Sequence, residues 1–211
     1  MLRSLYTAEI FQPEVLIQAD FDVLQDRMTR MMQATMMGEG DPATTEAQVA
    51  AELPFNCEQS SPSPGSVRTS RCAGDLHHLF ACESRCNSFR SNTPYTEFTD
   101  FPTPPPPSDI GVLDAIREDC GKSADVGFEP AHGKGAAARA VFYFRLRYAD
   151  LITDERMPGD RWATLTTWHE HDPVSTWERH RNAAIFDRQG NRNPFIDHPD
   201  WLPDIAATLP R

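Results

Sequence analysis

The last quarter of the chain gathers side chains able to bind an anion. In WHEHDPVSTWERHRNAAIFDRQGNRNPFIDHP, residues 168 to 199, imidazoles, guanidiniums and amides alternate between proline-marked turns. Within residues 178 to 192, Arg179, Arg181, Arg188 and Arg192 stand against Glu178 and Asp187, which makes a local positive field. Upstream, FNCEQS places the Glu58 carboxylate beside the Gln59 amide, DLHHLF carries Asp75, His77 and His78, and CNSFRSN carries Asn87 and Arg90. A guanidinium such as Arg90 presents a fixed fork of N–H donors to a phosphate. His169, His171 and His180 invite a zinc reading, but H-x-H on a helix points its rings to different sides and no regular ligand spacing completes the set. No G-x-G-x-x-G, G-x-x-x-x-G-K or G-x-S-x-G is present, so neither a nucleotide cofactor nor an esterase mechanism has support.

The whole chain bounds that chemistry. At 211 residues it fits one domain with a sizeable core, and 18 prolines with 11 glycines require long irregular segments. A net charge of -11 argues against holding nucleic acid by bulk electrostatics, so any affinity must come from a small basic groove and a metal. No apolar run approaches the roughly 18 to 20 residues of a membrane span. The opening MLRSLYTAEIFQPEVL lacks the sustained apolar segment and small-residue cleavage site of a secretory signal. Of the five cysteines, Cys57, Cys72, Cys82 and Cys86 crowd together ahead of Cys120. One or two disulfides in an oxidising compartment, a four-thiolate zinc site and free thiols all remain open, although the irregular spacing disfavours zinc.

The elements that must position these residues follow from periodicity and turn chemistry. Residues 17 to 37 read as a helix, with Phe21, Leu24, Met28, Met32 and Met36 forming a core-facing stripe. SSPSPGS must be a loop, DLHHLF a strand or a short buried turn, and FPTPPPPS (101 to 108) a polyproline-type surface spacer. Ser108 can cap a short helix that ends at Cys120-Gly121. Residues 134 to 150 form the strongest helix, largely buried, with Ala137, Val141, Phe144 and Tyr148 along one face. Another spans 161 to 170, and a third begins at the capping-box pair Ser175 and Glu178 and ends at Gly190. The expected fold class is α+β, one mixed domain richer in helix than in strand. It divides into an N-terminal helical part (1 to 54), a motif-bearing region (55 to 100), the proline-rich loop (101 to 108) and a helical remainder (109 to 211).

FNCEQS, DLHHLF followed by CNSFRSN, and GNRNPFIDHP preceded by DPVS..E..RN occur in that order across residues 55 to 199. Together they resemble the bacterial endonuclease I family, metal-dependent nucleases of the ββα-metal, or His-Me finger, type. The resemblance implies a finger at about residues 55 to 98 with a small antiparallel sheet, and packed helices from 134 onward. It also implies a Mg²⁺-dependent, largely sequence-nonspecific endonuclease acting on DNA and RNA, monomeric, not membrane-bound, and secreted or periplasmic. Carried over residue by residue, Glu58 and Asn87 become metal ligands and Arg90 a phosphate clamp. Arg68 and Arg71 become substrate contacts by their proximity to the family's arginine-bearing loop. The C-terminal block reads as scaffold and groove wall: Arg179 and Arg181 can contact phosphates, and Asn182, Gln189, Asn191, Arg192 and Asn193 can pin the loop that supports the finger. One residue departs from the pattern: where the family has Glu-His, this chain has Glu58-Gln59. Imidazole takes a proton near neutral pH and an amide does not. Gln59 is then left to orient water, with His78 as a candidate substitute base beside its alternative reading as a buried, hydrogen-bonded histidine. Losing a general base typically costs about 10²- to 10⁴-fold in rate, so a catalytically degenerate homologue that binds or supports is the competing expectation.

Overall fold

A computed structural model describes residues 2–37, 55–60, 72–101, 119–149 and 159–206. Two short strands, β1 (Leu2–Arg3) and β2 (Ile10–Phe11), precede a long helix, α1 (Pro13–Met37). Strands β3 (Phe55–Gln59) and β4 (Leu79–Glu83) lead directly into helix α2 (Ser84–Arg90). A hairpin of β5 (Gly121–Ala124) and β6 (Gly127–Pro130) is followed by helices α3 (Lys134–Arg147), α4 (Gly159–His171) and α5 (Thr176–Gln189). Short helices α6 (Pro194–Asp197) and α7 (Leu202–Ala206) close the described part. The strands pair as three separate two-stranded antiparallel sheets, β1 with β2, β3 with β4 and β5 with β6. The fold is therefore α+β and mostly helical, as the sequence implied, with the ββα order at β3, β4 and α2.

The core is organised by α3. Its alanine-rich first half allows close approach, and Ala137, Ala138, Ala140, Val141 and Phe142 are all buried. Phe142 meets Trp162 of α4 and Phe195 of α6 with ring centroids 4.8 and 5.8 Å apart. Gly133 starts the helix at φ 69°, and a Cβ there would lie 2.4 Å from the Leu5 carbonyl oxygen. That position requires glycine for both its conformation and its space.

The most polar part of the core is also on α3. Arg139, 1% exposed, donates Nε and Nη2 to the Glu178 carboxylate at 2.7 and 3.0 Å, and Nη1 to the Asp172 carbonyl at 2.8 Å. Glu178 belongs at the same time to the expected capping box of α5: its Oε2 accepts from the Ser175 amide, and the Ser175 hydroxyl accepts from the Glu178 amide. Asn193 donates to the Arg139 carbonyl and caps α6 by accepting from the Phe195 amide, while Asn182 exchanges hydrogen bonds with the Asn193 backbone. These residues lock α3, α5 and the GNRNPF segment into one unit.

The stripe on α1 is a correction. The helix forms, but Phe21 is 63% and Met36 88% exposed, and Leu24, Met28 and Met32 are exposed with them. The less exposed side of α1 is that of Leu16, Ala19 and Val23. Periodicity identifies an apolar face and leaves open whether this chain's own core covers it. Residues 102–108 of the expected proline-rich spacer, and 108–118 of the short helix before Cys120, lie outside the described residues.

Removing one partner of a fully buried ion pair strands the other charge, which costs about 3–5 kcal/mol. Urea unfolding of Arg139→Ala should show a loss of that size. Arg192→Ala, which removes a surface pair with Asp197, should cost less than about 1 kcal/mol.

Candidate active site

Antiparallel pairing of β3 and β4 sets Glu58 opposite Phe80 and Gln59 opposite Leu79. Neighbours in a strand point to opposite faces, and only one of this pair is fully inside: Glu58 is 1% exposed and Gln59 half-buried. Glu58 Oε1 accepts from the Tyr6 hydroxyl at 2.8 Å and lies 2.9 Å from Arg90 Nη1. Its other oxygen, Oε2, is buried with no hydrogen-bond partner. Burial pushes the carboxyl pKa up, with Arg90 and Tyr6 pulling it back.

Arg90, at the end of α2, also donates Nη1 to the Gln59 carbonyl at 3.1 Å and lies over the Tyr95 ring. Its Nε and Nη2 are buried and unpaired. Asn87 is half-buried one turn earlier on α2, on the same side of the helix as Arg90. Glu58, Gln59 and Arg90 thus come into direct contact, and α2 brings Asn87 to the same finger. Tyr6 and Tyr95, whose hydroxyls are 2.8 Å apart, complete this buried cluster. Neither could be found by spacing, since Tyr6 lies 52 residues from Glu58 in sequence.

The DLHHL segment is tied to the scaffold. Asp75 accepts from the hydroxyls of Tyr143 and Tyr148, from Gln189 Nε2 and from the His77 amide. His77 pairs through Nε2 with the Asn191 carbonyl, and His78 through Nε2 with the Cys72 carbonyl at 2.7 Å. The His78 ring packs edge-on to Phe144, with Nδ1 buried and unpaired. Burial lowers the pKa of both imidazoles. Arg181 lies over the Phe80 ring and donates Nη2 to the carbonyls of Leu76 and Leu79. Arg179 is exposed on α5. Arg68 and Arg71 lie outside the described residues.

Cys86 on α2 forms a disulfide with Cys120, which immediately precedes β5. The bridge therefore reaches out of the cysteine cluster to the fifth cysteine, and it ties the finger helix to the β5–β6 hairpin. Among the described residues no group of three or more His, Cys, Asp or Glu side chains assembles as a metal cage. A metal here would rest on the Glu58 carboxylate and the Asn87 amide oxygen, both hard oxygen donors. The unpaired, buried Glu58 Oε2 fits such a hard-cation ligand.

A finger of two antiparallel strands and a helix, with a carboxylate on the first strand and an asparagine on the helix, has the architecture of the ββα-metal nucleases. The chain belongs to the Endonuclease I family, whose model matches residues 14–200. It is similar to an extracellular ribonuclease of Bacillus subtilis (strain 168), 34% identical over 158 residues, which covers 68% of this chain and 50% of that protein. It is likewise 32% identical to an extracellular ribonuclease of Bacillus amyloliquefaciens over 68% of this chain and 50% of that one. An extracellular deoxyribonuclease of Aeromonas hydrophila is 28% identical over 60% of this chain and 50% of its own length. The chain spans about half the length of these curated relatives.

Burial disfavours the Asp75 charge, but hydrogen bonds from Tyr143, Gln189, the His77 amide and Tyr148 outweigh it and hold the pKa below the usual aspartate value. A depressed folded-state pKa contributes stability above the unfolded value of about 3.9 and loses it as pH falls through the folded one. Asp75→Asn should therefore be less stable than the wild type in urea at pH 7. The gap should narrow as pH is lowered below about 4.

Proposed function

We propose that the chain is a metal-dependent, largely sequence-nonspecific endonuclease that hydrolyses phosphodiester bonds of DNA and RNA, with Mg²⁺ held by Glu58 and Asn87. The observation that carries this reading is Glu58 itself: a buried carboxylate with one oxygen tied to Tyr6 and Arg90 and the other without a protein partner. Bound there, Mg²⁺ would supply positive charge against the phosphoryl oxygens and the leaving oxygen. Glu58 and Asn87 would hold the ion between β3 and α2 of the finger. Arg90 keeps Nη1 on Glu58, and its unpaired Nε and Nη2 are the donors left for a phosphate oxygen. Exposed Arg179 extends the phosphate track. Arg181, whose Nη2 is engaged with two carbonyls, contributes mainly by fixing the DLHHL segment. A site built on phosphate contacts positions a nucleic acid without reading its sequence. Support for both sugars comes from relatives named as ribonucleases and deoxyribonucleases. Their extracellular designation, together with the Cys86–Cys120 disulfide, supports a secreted or periplasmic setting.

In hydrolysis the water oxygen bonds to phosphorus as the ester P–O bond breaks, one water proton goes to a base, and the leaving oxygen is protonated. Gln59 replaces the family's histidine at the base position and can only orient the water. His78 has a free ring nitrogen, Nδ1, but is enclosed against Phe144, so it serves as base only if the segment opens. Gln59 is also the observation that favours a second reading, a degenerate homologue retained for binding or structure.

Plasmid cleavage separates these readings. Mg²⁺-dependent nicking by the wild type that is abolished by Glu58→Ala and by excess EDTA is the expected outcome. Gln59→His should raise the rate by about 10²- to 10⁴-fold if no other base operates, and His78→Ala should lower it by a similar factor if His78 is that base. A wild type that is silent until Gln59→His restores cleavage would establish the degenerate reading. Cleavage that survives Glu58→Ala or EDTA would overturn the metal-centred one.

A further inference from the structure

The family model begins at residue 14, yet the finger's carboxylates are held by residues that precede it. Residues 2–11 form a strap: β1 and β2 pair, the Ser4 amide donates to the Glu9 carbonyl, and the Leu5 amide donates to the Ala81 carbonyl on β4. Ser4, Leu5 and Tyr6 are buried. From this strap the Ser4 and Thr7 hydroxyls donate to the two oxygens of Glu83, at 2.5 and 2.6 Å. Glu83 is the N-cap residue of α2, so the strap fixes the start of the helix that carries Asn87. Tyr6, packed edge-on to Phe128 at 5.0 Å, donates to Glu58 Oε1. The single Tyr6 hydroxyl proton is directed at Glu58 Oε1, so in the Tyr6–Tyr95 contact Tyr95 donates to the Tyr6 oxygen. Tyr95 thereby reinforces the direction of the Tyr6 bond.

We infer that Tyr6, on the strap ahead of the family-matched residues, is a positioning residue for the metal ligand Glu58: by engaging Oε1 together with Arg90, it fixes the carboxylate so that Oε2 is presented to the cation. This rests on the reading of Glu58 as a metal ligand. Groups that orient a metal ligand from behind typically control affinity by about 10- to 100-fold, and removing one hydroxyl should register in binding even where cleavage is weak.

The test is Mn²⁺ binding to the full chain, measured by electron paramagnetic resonance of the free ion, beside thermal unfolding of the same samples. The wild type should bind and Glu58→Gln should not. Tyr6→Phe, which keeps the ring, should weaken binding by about 10-fold or more. Phe128→Leu removes the ring packed on Tyr6 but leaves the phenol–carboxylate bond, so it should lower the melting temperature while holding Mn²⁺ affinity within about twofold of wild type. Mn²⁺ affinity of Tyr6→Phe equal to wild type, in a protein that loses binding on Glu58→Gln, would overturn the role of Tyr6 alone. Affinity that follows melting temperature in both variants would overturn it too, by reducing Tyr6 to a packing residue. A wild type that binds no Mn²⁺, or a Glu58→Gln that binds it undiminished, would bring down the metal-site reading on which it rests.

Discussion

Taking a carboxylate out of water costs several kcal/mol unless charge and hydrogen bonds replace the solvent. At Glu58 that replacement is deliberately one-sided in space: Tyr6 and Arg90 converge on Oε1, and Oε2 is left buried and unpaired. Such an arrangement survives only if the surrounding backbone cannot relax to satisfy the second oxygen. Strand pairing of β3 with β4, the strap across Ala81, the Arg90 bond to the Gln59 carbonyl and the Cys86–Cys120 bridge all serve that end. An unpaired buried acceptor costs about 1–3 kcal/mol, and a cation bound there would recover that cost and more.

Behind the finger lies a second polar system in which Arg139, Glu178 and Asp75 are each paired. Arg139 and Glu178 pair through two hydrogen bonds, Asn182 and Asn193 bind each other's groups, and Asp75 collects four donors from α3, α5 and its own turn. Its contrast with Glu58 is informative. Hydrogen-bonded networks of this kind rigidify a core, whereas the Glu58–Arg90 pair keeps three buried polar atoms without a partner. Here Glu58 Oε2 and Arg90 Nε and Nη2 fall within one salt-bridged pair.

Much of this could be read from the chain. The capping box at Ser175 and Glu178, the stop at Gly190, the buried helix from Lys134 and the order of the finger motifs are local patterns, and each appears where expected. What stayed hidden was long-range or depended on what covers a face. Tyr6 reaches Glu58 across 52 residues, and Arg181 folds back 102 residues to the Leu79 carbonyl. The α1 stripe has helical spacing but faces solvent. The amides of the densely polar C-terminal block do supply the scaffold their sequence suggested, but their partners were not legible: Asn191 receives His77, Gln189 holds Asp75 and Asn193 caps α6. Spacing reports which residues share an element and says little about which distant partner an exposed-looking arginine or tyrosine will find.

The most direct test of the Glu58 site is anomalous scattering from crystals of the protein soaked in Mn²⁺ as a stand-in for Mg²⁺. A single strong peak within roughly 2.5 Å of both Glu58 Oε2 and the Asn87 amide oxygen, the span of oxygen–metal bonds, is the expected result. Ordered Glu58 and Asn87 side chains with no peak between them, or a peak held by other residues, would contradict it.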